Sequence, residues 1–163
     1  MARTARRMER VDFSAEALTP VLAYMARLAE AGDGWINLIP RITDENERPT
    51  SLGFWTLFSG GGTGITMCTW IPAGQDRRGS KGSSLGISHV TGRRAVAQLA
   101  LAVPIPETWV VEQDHPRRGL VLRLPTKETH EEVLEWALRA VAALTPGRPI
   151  RRWRADIYLP ASP

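Results

Sequence analysis

THEEVLEWALRAVAALTPGRPIRRWRADIYL, residues 129–159, carries two different periodicities back to back, and the fold follows from reading them in succession. Val133, Leu134, Ala137, Leu138, Val141 and Leu144 recur at three- and four-residue spacing, which predicts a helix with one continuous apolar face. Thr129 followed by Glu132 has the form of a capping box, and Pro146-Gly147 supplies the stop. Beyond it the period falls to two. Trp153, Ala155, Ile157 and Leu159 fall on one side and Arg152, Arg154, Asp156 and Tyr158 on the other, as in a half-buried strand. An amphipathic helix beside a one-faced strand implies a sheet with helices laid on it.

The upstream chain extends this pattern. Residues 1–12, with Arg3, Arg6, Arg7 and Arg10, read as a flexible basic arm. In SAEALTPVLAYMARLAEAG, the residues Leu18, Val21, Leu22, Met25 and Leu28 mark a helix, with Gly32 just past its end. Ser14 and the Thr19-Pro20 pair are alternative starts. GWINLIPRI predicts a strand, and SLGFWTLF and GITMCTWIP flank SGGGTG as the arms of a hairpin containing Phe54, Trp55, Phe58 and Trp70. A Gly/Ser/Arg-rich loop is expected over 73–88. Thr91 can then cap a helix with Val96, Leu99, Ala100 and Val103 as its stripe, stopped by Pro104 and Pro106. TWVVEQ and GLVLRLP pair around the turn DHPRRG. The expected fold is therefore a single α+β domain over 13–160, a sandwich of a mainly antiparallel sheet with helices packed on it, in the order α-β-β-β-α-β-β-α-β.

This succession of a helix, three strands, a helix, two strands and a helix resembles that of type III secretion chaperones and their YbjN-like relatives. The resemblance implies a non-enzymatic module that dimerises or holds a protein partner.

Bulk composition sets the class. A chain of 163 residues with 43% hydrophobic and 23% charged residues lies in the ordinary globular range. Cys68 is the only cysteine, so no internal disulfide can form, which suits a reducing compartment. Its apolar neighbours suggest a small core residue. No stretch approaches the roughly 18 apolar residues of a membrane span, and the N-terminus lacks the apolar segment of a secretory signal. The expectation is cytoplasmic, with no membrane partner.

The net charge of +4 comes almost wholly from arginine, since Lys81 and Lys127 are the only lysines. A GC-rich genome explains the abundance of arginine but not its placement. Between Glu47 and Glu107 the only acid is Asp76, whereas Glu128, Glu131, Glu132 and Glu135 crowd one helix start.

Catalytic and metal motifs fail on spacing. Gly74 to Lys81 approximates a phosphate-binding loop, but Ser80 separates Gly79 from Lys81 and Gly82 follows, where a helix would have to begin. His130-Glu131 opens like H-E-x-x-H, but Leu134 occupies the second ligand position. No metal or cofactor is implied. Asp114, His115 and His89 could serve acid–base chemistry, but no serine or cysteine can be tied to them.

What remains is basic chemistry. Arg77, Arg78, Lys81, His89, Thr91, Arg93 and Arg94 form a candidate anion or nucleic-acid site. Its best part is the helix start at Thr91, where free N–H groups would meet two guanidiniums. Arg117, Arg118, Arg152 and Arg154 form a secondary basic patch that could join it. Three functions follow: a protein-binding or chaperone-like adaptor, with a homodimer as one form; a binder of nucleic acid or a phosphate-bearing ligand through 77–94; and an enzyme acting on an anionic substrate near His89.

Overall fold

A computed structural model describes residues 6–42, 65–76, 79–145, 147 and 149–160. Nine strands and three helices occur among them: β1 (Met8–Phe13), α1 (Thr19–Ala31), β2 (Trp35–Pro40), β3 (Met67–Ile71), β4 (Gly74–Asp76), β5 (Gly79–Lys81), β6 (Ser84–Ser88), α2 (Ala95–Ala102), β7 (Val110–His115), β8 (Gly119–Arg123), α3 (His130–Leu144) and β9 (Trp153–Tyr158). Seven strands form one sheet in the order β1-β9-β2-β3-β6-β8-β7, and every pairing in it is antiparallel. The chain has the expected α+β architecture.

The register explains why the helices share one face. Val11, Ala155, Leu38, Cys68, Ile87 and Leu120 stand opposite one another across successive strands, as do Ile157, Ile36, Trp70, Leu85 and Leu122. These rows meet Val21, Met25 and Leu28 of α1, Ala95 and Leu99 of α2, and the wide buried face of α3 in a single core. Burial of this apolar surface is the dominant stabilising term. Cys68 lies wholly inside it, where burial pushes its thiol pKa up and suppresses the thiolate.

Helix ends follow local chemistry to different degrees. In α3, Thr129 and Glu132 exchange both capping-box bonds, each at 3.2 Å. Trp136, outside the expected stripe, is buried too. Its indole donates to the Pro104 carbonyl at 3.0 Å and meets Trp109 edge-on. Other aromatic pairs stack elsewhere, Phe13 on Trp153 and Trp35 on Tyr158; Phe54, Trp55 and Phe58 fall outside the described residues, as does the expected strand SLGFWTLF. His130 packs edge-on against Trp70 rather than standing free in solvent. At α1, neither Ser14 nor Thr19 caps: Leu18 is the N-cap residue without a side-chain bond, and Pro20 lies in the first turn. Gly32 takes the left-handed C-cap conformation with φ 62°.

Three expectations are corrected. Residues 8–12 belong to an edge strand, not to a flexible arm. Glu9, Val11 and Phe13 face the helices while Arg10 faces Asp156, so alternating charge is compatible with pairing along β9. The described residues of 73–88 do not form a loop: β4 pairs with β5, and β6 follows as an inner strand flanked by β3 and β8. Ser84, Gly86 and Ser88 have weak strand propensity, but Leu85 and Ile87 are fully buried and two neighbouring ladders override it. Finally, β9 is buried on both faces. It lies between β1 and β2, and its supposedly solvated Arg154 and Asp156 are 7% and 2% exposed.

Candidate functional site

The chain around 89–94 is organised by its own polar groups. Thr91 Oγ1 lies 3.0 Å from His89 Nδ1 and accepts from Gln98 Nε2 at 2.8 Å. Gln98 Nε2 also reaches the Arg94 carbonyl at 3.2 Å. The helix begins at Ala95 rather than Thr91, with Arg94 in the N-cap position and no side-chain cap of its own. Instead the Ala95 N–H donates to Asp114 Oδ1, 2.8 Å away on β7. The positive helix end expected to receive an external anion is thus met by a carboxylate of the chain itself.

His89 is 5% exposed, and its Nε2 is enclosed without a hydrogen-bond partner. Burial lowers its pKa, opposed by the nearby charge of Asp114. Arg93 and Arg94 are exposed.

The β7–β8 turn sits against this segment. Gly119 has φ +85°, and a Cβ there would lie 2.2 Å from the Ile87 carbonyl oxygen, so only glycine allows so close an approach. Within the turn, His115 Nδ1 accepts from the N–H groups of Arg117 and Arg118 at 3.1 and 3.2 Å. His115 thus holds the turn, while Asp114 beside it reaches α2. Arg117 and Arg118 are exposed, so the fold brings them to the same corner as Arg93 and Arg94.

The other arginines do not join this corner. Arg152 is exposed before β9, five strands from β7, about 24 Å at about 4.8 Å per strand. Arg154 is buried: its Nη2 donates to Asp156 Oδ2 at 3.3 Å, and its Nε approaches Oδ1 at 3.2 Å without a well-aligned bond. Arg10 Nε donates to Asp156 Oδ1 at 2.9 Å, and this bond raises the Arg10 pKa. Lys81 lies in β5. Arg77 and Arg78 lie outside the described residues.

Leading away from the arginine corner, exposed valines stand between the exposed Glu107 and Glu112. Among the described residues β7 ends the sheet. Its first residues, Val110 and Val111, are 45% and 42% exposed, and Leu101 on α2 is 98% exposed. Helix α2 packs on β7, anchored to Asp114 at its start and returning through 103–109 to Val110. Val111 stands opposite the buried Leu122 and so lies on the helix side of the sheet, while Val110, opposite Arg123, points to the other side. Leu101, two positions past the buried Leu99, projects from the solvent side of its helix. Glu112 pairs with Arg123 at 3.5 Å beside a β-bulge.

This pair of edge valines was not read from the sequence. TWVVEQ was recognisable as a strand, but its position at an edge was not.

Among the described residues no three His, Cys, Asp or Glu side chains converge as a metal site, and no helix is long and apolar enough to cross a membrane. Comparison with known proteins gives no significant match to any family model, curated sequence or solved structure.

Proposed function

We propose that this chain is a non-enzymatic binding module that takes a protein partner along β7 and the adjoining surface of α2. The observation that carries this reading is the pair Val110 and Val111, exposed valines on opposite sides of the strand that ends the sheet among the described residues. Apolar side chains beside edge-strand backbone form a surface suited to association. The lone, buried Cys68 suits a reducing compartment, and we place the module in the cytoplasm. Selection of binders from a displayed random-peptide library tests the reading. Binders should be lost with Val110→Asp or Val111→Asp while the thermal midpoint stays within a few degrees. Undiminished binding by both variants would sink it.

A second reading has its own observation. Arg93, Arg94, Arg117 and Arg118 converge at one corner and have no acidic partner there among the described residues, apart from the already engaged Asp114. Such a corner suits a phosphate-bearing ligand or nucleic acid. Duplex DNA binding there would show a slope of log K against log salt of about −0.9 per phosphate contacted. Arg93→Ala with Arg94→Ala would weaken it for all sequences alike.

A further inference from the structure

We infer that the β7 edge takes one extended segment of a partner protein as an added antiparallel strand, acidic residues at the segment's start and apolar residues at its end. This rests on the protein-binding reading above and specifies the ligand. A strand at the end of a sheet leaves every second backbone N–H and C=O without a ladder partner, and an extended peptide can satisfy them.

The chemistry along the edge is graded. At the His115 end stand Arg93, Arg94, Arg117 and Arg118; at the Val110 end stand Val110 and Val111, preceded by exposed Glu107. An antiparallel segment enters at the His115 end and leaves at the Val110 end. Acidic residues placed first meet the guanidiniums, and apolar residues placed last reach Val111 on one side and Val110 on the other. Reversing the order sets carboxylates beside Glu107 and Glu112 and leaves the arginines unopposed.

The same gradient argues against a second copy of this chain. Antiparallel pairing of β7 with β7 would set the Val110–Val111 end of each copy against the arginine end of its mate, so neither valine pair would be covered. The bulge at Val111–Gln113 adds to this, because extra local twist hinders two whole sheets from aligning but can be followed by one short segment.

The test uses the full chain and the fluorescent peptide Asp-Glu-Asp-Glu-Thr-Val-Thr-Val, compared with the reversed order and with a version whose four acids are serines. Anisotropy gives affinity, and hydrogen exchange reports the amides of Val110–His115. The acid-first peptide should bind best and slow exchange along β7. Arg117→Glu with Arg118→Glu should weaken it roughly tenfold or more, and raised salt should weaken it as well. Val110→Asp should weaken it with the thermal midpoint unchanged. Equal binding of the serine peptide, with β7 protected, overturns the acidic specification while the protein-binding reading survives. If no peptide protects β7, both fall. Preferential binding of the reversed peptide overturns the polarity. Concentration-dependent self-association that protects β7 makes a second copy the occupant and overturns the proposal. Duplex DNA that binds through these arginines and displaces the acidic peptide without protecting β7 overturns it in favour of a nucleic-acid ligand.

Discussion

Asp156 holds two guanidiniums, Arg10 from β1 and the buried Arg154 from its own strand. Removing the carboxylate leaves Arg154 enclosed without a counter-charge, a far worse state than replacing the whole cluster with apolar groups. Asp156→Asn should therefore cost about 3–5 kcal/mol, seen as a lower midpoint in urea unfolding. A loss below about 1 kcal/mol would mean that water solvates the site. His89 gives a pH dependence of defined sign. Burial holds its folded pKa below the unfolded value of about 6.5, so the unfolded chain binds more protons between the two values. The stability linked to His89 is fully present above about pH 6.5 and is lost as pH falls towards the folded pKa. Unfolding free energies measured at pH 7.5 and 5.5 should converge in His89→Gln relative to the parent, and an unchanged difference would contradict this sign. Both residues were visible in the sequence, but their environments were not. Arg154 and Asp156 alternate with apolar neighbours just as solvated residues do, and only a strand on each side of β9 makes their face an interior.

At the scale of elements, α3 is the part most completely determined by local chemistry. Its capping box, its apolar stripe and its Pro146-Gly147 stop were all legible, because each depends on residues within a few positions of one another. Thr129→Ala should lower stability by about 1 kcal/mol through the lost cap, measurable by chemical denaturation. The start of α2 was not legible in this way. Its first N–H is met by Asp114, nineteen residues away, and no local pattern announces such a cap. The β7–β8 turn shows the same dependence on distant groups. Gly119→Ala would combine a positive φ with a clash against Ile87 on another strand, and should cost more than about 2 kcal/mol. A smaller loss in equilibrium unfolding would show that the turn can move away from β6.

For the whole molecule, the N-terminus provides the sharpest contrast. A flexible arm could be removed without consequence, whereas β1 pairs residue by residue with β9, and its Glu9 accepts the Tyr24 hydroxyl of α1. Deleting residues 1–13 should lower the thermal midpoint by several degrees and expose β9 as a new edge; an unchanged midpoint would refute the structural role of β1. The corner of the proposed partner site is likewise a product of assembly. The segment bearing Arg93 and Arg94 lies beside the turn bearing Arg117 and Arg118 because β6 and β8 are neighbours, and Arg152 stays away because β9 lies across the sheet.

The amino-acid sequence by itself determined the periodic elements, most of their ends, the α+β class and the failure of the catalytic and metal motifs on spacing. These depend on backbone propensity and side-chain period over a few residues. Tertiary structure alone decided which strands are edges, that a Ser/Gly-rich segment becomes the inner strand β6, that the outward residues of β9 are buried, and that the α2 terminus is met from within the chain. Strand order depends on contacts between residues far apart in sequence, and burial depends on what those contacts bring against each face. Local pattern carries neither.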